Sequence, residues 1–316
     1  MKSPRILQLI RPRAPYLKAQ QDAFASSLPV GGRFIILSPL QDQPTPADSM
    51  PCGPNIDTLT VESQAISSSL WSHWKNEAVA SRLPSSQLWR SIANQCPDLI
   101  WMHEYSPFTL TGLIYSLRKK IPVVVSSEIG LSNAQIFSLS VRIWHAFWGK
   151  FVSGHIANCP AACQPLSRTG APVISAFHAV DSRVFTPADS HPSNSALTFV
   201  FMGHLVPRKG LDLLFKAAQR LRELTSQPFR IRIIGKGDEQ TLRTLAAGLE
   251  IEFTGFLSGV ALRDAVRSAD VFVLPTRQDA YAAVTHEAAC LGLPLIISKY
   301  AGSAAAIVED TTPALS

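Results

Sequence analysis

The chain is 316 residues long, 46% hydrophobic and 16% charged, with a formal net charge of +6. The length exceeds one core of about 150 residues and calls for two domains, while the apolar content excludes a disordered chain. There is no run of eighteen apolar residues, and residues 1–10, followed by Arg11, Arg13 and Lys18, do not read as a cleaved leader, so the expected compartment is the cytoplasm.

Apolar β-type runs recur at residues 6–10, 34–37, 99–102 and 123–125, with amphipathic or polar segments between several of them. This alternation predicts an α/β chain. Residues 39–54 are rich in proline and polar side chains and read as an exposed loop. In residues 142–151 (RIWHAFWGKF), Trp144, Phe147, Trp148 and Phe151 fall at helical spacing. That face reads as core or, with Arg142 and Lys150 near lipid phosphates, as a peripheral membrane contact. The first half closes around residues 173–187, which predicts a first domain over 1–187, a linker over 188–196 and a second domain over 197–316.

The second half repeats a strand-helix unit. Residues 197–202 predict a strand ending in Gly203; over 211–222, Leu211, Leu214, Phe215, Ala218 and Leu221 mark one helical face. A strand over 229–234 leads into Gly235-Lys236-Gly237, then a helix over 239–249 and a strand over 251–254. The glycine turn lacks the third glycine of a dinucleotide fingerprint, Gln240 standing in the later position, which disfavours a nicotinamide enzyme. Residues 268–275 (SADVFVLP) and 295–298 (LIIS) read as strands around 276–294 (TRQDAYAAVTHEAACLGLP). This places Asp279 in a loop at the carboxyl edge of a parallel sheet and Glu287 one turn inside the following helix, where open α/β folds bind ligands. Capping or solvating the helix start is the lesser alternative for either acid.

Cys52, Cys96, Cys159, Cys163 and Cys290 make no paired framework, and the lone CxxxC of Cys159 and Cys163 lacks further ligands for zinc. The positive charge favours anionic partners without choosing among nucleotide, phospholipid and nucleic acid.

Four segments in order, FMGHLVPRKG at 201–210, IIGKGDE at 233–239, FTGFLSG at 253–259 and the paired-acid stretch at 268–298, resemble the retaining family 4 glycosyltransferases. His178-Ala179-Val180-Asp181 stands where that family often has Asn-Gly-Val-Asp. The resemblance implies a GT-B fold of two Rossmann-like doubly wound domains facing a central cleft, with the second domain incomplete because the family continues beyond this length. It further implies a nucleoside diphosphate sugar as donor substrate, a saccharide or lipid-linked acceptor, no nucleic acid, no metal and no separate cofactor. Cell-surface polysaccharide biosynthesis is the implied setting, in the cytoplasm or peripherally at the inner face of the membrane.

By that resemblance Lys209 and Asp279 are candidate catalytic residues, together with Glu128 of IPVVVSSEIG at 121–130, which stands where relatives carry a histidine. Glu128 also reads as a helix-capping glutamate, and Lys209 as a surface lysine. The donor-binding candidates are Gly203, His204, Lys209, Gly235, Phe256, Asp279, Ala282, Ala283 and Glu287; Phe256 borders the base or belongs to the core. On the acceptor side stand Arg11, Arg13, His103 and Glu104, the arginines having a solvated reading as well.

Departures from the family pattern sharpen the alternatives. His204 replaces a phosphate-binding arginine, Asp279 a longer glutamate, and Ala280 and Ala282 replace glycines. A catalytically impaired nucleotide-sugar-binding protein or partner subunit, or a GT-B sugar-nucleotide epimerase, are the competing expectations.

Overall fold

The computed structural model describes residues 3–10, 17–40, 53–66, 81–82, 85–127, 139–188 and 196–308. Two compact units, Met1–Ala179 and Val180–Ser316, each carry their own parallel sheet. Phe185 packs against the core of the second unit, which accounts for the division falling before residue 187.

The first unit runs through β1 (Arg5–Leu9), β2 (Arg33–Pro39), β3 (Ile56–Val61), β4 (Ala65–Ile66), β5 (Ser81–Arg82), β6 (Leu99–His103), β7 (Val123–Ser127), β8 (Gly154–Ala157) and β9 (Val173–Ser175). Seven of these form a parallel sheet in the order β3-β2-β1-β6-β7-β8-β9, while β4 and β5 pair antiparallel. Strand order reverses at β1, which pairs with both β2 and β6. Alternation along the strands sends Leu7, Leu9, Ile35 and Ile100 to one face, against Leu88, Ile92, Phe108 and Leu113 of the helices Ser86–Gln95 and Pro107–Lys119. Phe34, Ile36 and Trp101 face the other way, with Leu17 and Ala25 of the helix Leu17–Ser26. Burying each such side chain stabilises the unit by roughly 1.5–3 kcal/mol before entropy is subtracted.

Helix Leu139–Trp148 corrects one expectation in part. Trp144 and Trp148 pack toward the core, but Ile143 and Phe147 are 60% and 52% exposed and Phe151 is exposed as well, so the aromatic face is split between core and solvent. All six tryptophans of the sequence lie in this unit.

The second unit adds β10 (Leu197–Met202), β11 (Phe229–Ile234), β12 (Ile251–Gly255), β13 (Val271–Leu274) and β14 (Leu295–Ile297), in the parallel order β12-β11-β10-β13-β14. Helix Leu211–Leu224 turns Leu211, Leu214, Phe215 and Ala218 onto the sheet, on the face its spacing predicts. The helix expected over 239–249 ends at Leu245, with Gly248 left-handed beyond it. Strand order reverses between β10 and β13, so the loops leaving these two strands part to opposite sides and open a crevice at their carboxyl ends.

Candidate functional site

The sequence builds this crevice edge from glycines. After β10, the amides of Gly203 and Leu205 donate to the carbonyls of Ile234 and Lys236, at 2.9 and 2.8 Å. The backbone packs so closely that a Cβ on Gly235 would meet the Gly203 oxygen at 1.8 Å. The chain then enters the short 3-10 turn Pro207–Lys209 and leaves it through Gly210, left-handed at φ 73°, into helix Leu211–Leu224. Lys209 thereby leaves the turn with its side chain buried, and a Cβ on Gly203 would stand 3.7 Å from its Nζ.

The loop after β13 is laced to that turn. The carbonyl of Arg208 accepts from the Thr276 hydroxyl at 3.1 Å and from the Arg277 amide at 2.8 Å. Arg277 reaches back as well, donating to Pro207 O at 2.9 Å and bidentately to Asp212. Asp279 is fixed on its other side by the loop after β14: its amide donates to Tyr300 O at 3.1 Å and its carbonyl accepts from Gly302 N at 3.2 Å. The result is a buried ion pair between Lys209 and Asp279, 6% and 7% exposed. The two residues lie seventy positions apart and flank the β10/β13 switch point.

Glu287 stands in helix Val284–Cys290, at its fourth residue, one turn inside as the sequence predicts. Ala282 is held left-handed at φ 67° in the turn before it, and Ala283 occupies the N-cap without a side-chain bond. The Glu287 carboxyl is half-buried, with no hydrogen bond or ion pair among the described residues. Desolvation raises its pKa from 4.5 to about 7, and burial, with the Glu287 charge second, lifts the Cys290 thiol too. A carboxylate with unfilled acceptor capacity in a crevice is a place for hydroxyl donors.

The other candidates distribute as follows. His204 is exposed at the rim. Phe256 is 42% exposed with the Lys236 ammonium 5.2 Å from its ring centroid, which places it outside the core. In the first unit His103 ends β6 and Glu104 follows it at φ 59°, in the left-handed region. His103 Nδ1 meets Ser126 Oγ at 3.0 Å, and the Glu104 carboxylate accepts from the Ser127 hydroxyl at 2.9 Å. Burial, with the charge of Glu104, raises the Tyr105 hydroxyl pKa. Arg11, Arg13 and Glu128 lie outside the described residues. Sequence reasoning missed Ser126 and Ser127, whose small side chains carry no signal until β6 and β7 are paired. Among the described residues no cluster of three His, Cys, Asp or Glu side chains could hold a metal ion.

Residues 196–315 match the family described as "Glycosyl transferases group 1". Sulfoquinovosyl transferase SQD2 of Arabidopsis thaliana is 34% identical over 112 residues, 35% of this chain and 21% of that protein. Phosphatidyl-myo-inositol mannosyltransferase of Mycobacterium leprae is 27% identical over 212 residues, 64% of this chain and 55% of that protein. The chain thus spans between a fifth and about half of the length of these relatives. Among solved structures, Anabaena Alr3699/HepE in complex with UDP and glucose superposes with a TM-score of 0.67 at 16% identity, covering 95% of this chain and 82% of that one.

Proposed function

We propose that the chain, whose residues 196–315 match the glycosyl transferases group 1 and whose fold is of the GT-B type, transfers a sugar from a nucleoside diphosphate sugar to a saccharide or lipid-linked acceptor. Transfer proceeds with retention at the anomeric carbon. The observation that carries this reading is the grouping of Lys209, Asp279 and Glu287 in the segments around the β10/β13 switch point.

Each residue takes the part its chemistry suits. As the bond from the anomeric carbon to the phosphate oxygen breaks, charge grows on the diphosphate, and the Lys209 ammonium meets it in a crevice where such stabilisation is strongest. Asp279 accepts hydrogen bonds from hydroxyls of the sugar, and Glu287 from those of the ribose. The new bond forms to the acceptor oxygen on the same face, and the acceptor proton passes to the departing phosphate. This route needs no separate protein base, in contrast to a glycosidase with its two carboxylates. The acceptor is assigned to the first unit, with His103 and Glu104 at the carboxyl end of β6 as its polar contacts.

The proposed setting is cell-surface polysaccharide assembly on the cytoplasmic side of a membrane, supported by the exposed Ile143, Phe147 and Phe151 and by the neighbouring Lys150. No helix among the described residues is long and apolar enough to cross a membrane. A second reading, a nucleotide-sugar binder without turnover, draws on His204, where an imidazole replaces a permanently charged guanidinium. Calorimetry with UDP and GDP, followed by a transfer assay over an acceptor panel, separates the two. Glu287→Ala is expected to weaken nucleotide binding at least tenfold with the fold intact, and unchanged affinity overturns the ribose assignment.

A further inference from the structure

We propose that the first unit docks on an anionic phospholipid surface through the amino end of β7 and β8, where exposed apolar side chains stand among exposed lysines and arginines. The inference deepens the membrane setting of the proposed transferase by naming the lipid chemistry and the surface that meets it. It rests on that reading for its purpose alone, since no residue of the donor crevice takes part.

The chain concentrates its positive charge in this region. Between Glu104 and Asp181 it holds six lysines and arginines but a single acid, Glu128, a net +5 of the chain's +6. Five of the six cations, Arg118, Lys119, Lys120, Lys150 and Arg168, are exposed and make no ion pair among the described residues. Arg118 and Lys119 end helix Pro107–Lys119, which Lys120 closes left-handed at φ 56°. Lys150 lies in the 3-10 turn Gly149–Phe151 after helix Leu139–Trp148, and Arg168 caps helix Pro160–Ser167.

These three chain segments meet. Val123 N donates to Ser153 Oγ at 3.1 Å and Ser153 N to Val123 O at 2.7 Å, so the segments entering β7 and β8 are bonded to each other. A Cβ on Gly149 would stand 2.6 Å from Thr169 Cγ2, which seats the residue after Arg168 against the turn of Lys150. At the same end of the sheet Asp98 accepts from the Arg5 amide at 2.9 Å. The helix dipole favours cations at such ends. It does not account for the apolar side chains beside them.

Phe147 and Phe151 flank Lys150, both exposed, with ring centroids 5.4 Å apart. Ile143, one helical turn earlier, and Leu117, just before the basic triplet, are exposed as well. Cations alone would suit any polyanion; together with these side chains they match the boundary of a bilayer, where rings enter the acyl region and ammonium groups stay at the lipid phosphates. Aliphatic Ile143 and Leu117 offer no ring on which bases stack, which disfavours nucleic acid. Each cation near an anionic surface strengthens binding about fivefold, and salt screens the effect.

The test is flotation of the full chain, without nucleotide, on vesicles of phosphatidylcholine alone or with one third phosphatidylglycerol. The wild type is expected to bind the anionic vesicles at least tenfold more tightly than the neutral ones and to lose most of that preference in 1 M salt. Lys119→Gln combined with Lys150→Gln is expected to weaken anionic binding at least tenfold, as is Phe147→Ser combined with Phe151→Ser. Thermal unfolding and an unchanged affinity for UDP or GDP check that the variants are folded. The proposal is overturned if the wild type binds both vesicles alike or neither, or if either folded double variant binds as the wild type does. Tighter binding to a DNA duplex than to anionic vesicles gives the surface to nucleic acid and overturns it as well. A chain that docks on vesicles but binds no nucleotide defeats the donor-site reading and leaves this surface standing; one that binds nucleotide but no vesicle does the reverse.

Discussion

A Cβ built on Gly210 would stand 2.1 Å from the carbonyl oxygen of Pro275, so the turn that carries Lys209 and the loop that carries Asp279 touch backbone to backbone. Only glycine permits that approach, and only glycine takes φ 73° without strain there. Gly210→Ala is therefore expected to cost about 2–4 kcal/mol from left-handed strain and steric displacement together. A urea titration checks the stability, and loss of nucleotide affinity in the folded remainder checks that the contact positions the ion pair. An unshifted midpoint contradicts the close approach.

Glu287 gives the protein two opposed pH dependences. Its carboxyl is raised from 4.5 to about 7 by burial, so between those values the folded chain keeps a proton that the unfolded chain releases. This contribution makes stability fall as pH rises through that window. Glu287→Gln is expected to remove the slope and to stabilise the second unit at pH 8 by roughly 1–3 kcal/mol. Nucleotide affinity runs the other way, because the ionised carboxylate is the form that accepts from two ribose hydroxyls. It should rise between pH 6 and 8 in the wild type and be both lower and flatter in the variant. Thermal unfolding and calorimetry over that range decide both points.

Ala282 is left-handed at φ 67° just before helix Val284–Cys290, a conformation that a Cβ makes costly. Ala282→Gly is expected to raise stability by about 1 kcal/mol, read as an upward shift of the unfolding midpoint of the second unit. A lower midpoint would mean that the turn is supported by more than its backbone shows.

The Arg277–Asp212 pair is bidentate, at 2.7 and 2.6 Å, and partly exposed. The guanidinium lowers the Asp212 carboxyl pKa below its usual value, so the stability gained is present above the ordinary carboxylate range and is lost on acidification. Arg277→Met should cost under about 1 kcal/mol, and less in 1 M salt. The same change also removes the bond to Pro207 O, and nucleotide affinity is expected to fall further than stability does. Denaturation at two salt concentrations, compared with binding, measures the split.

The second unit was legible because its strands and helices carry their own periodicity: β10 and β11 span the predicted residues, and the Leu211 helix buries its predicted face. In the first unit β3, β8 and β9 escape such reading. Ile56–Val61 has only its last residue buried, and the other two strands hold four and three residues. The sequence could place Lys209 and Asp279 each at a strand's end and assign them to one site through resemblance. Their mutual ion pair, and the left-handed backbone of Glu104, depend on how separate loops are bonded together, which no local pattern encodes.

The confinement of all six tryptophans to the first unit separates the two halves optically. Ultraviolet emission excited at the indole band reports on Met1–Ala179 alone, while residues 180–316 contribute Tyr281 and Tyr300. Unfolding followed by indole emission and by backbone circular dichroism will yield separate curves wherever the halves melt independently. A nucleotide seated near Lys209 will shift the second curve directly; any change it makes in the indole signal measures communication between the halves.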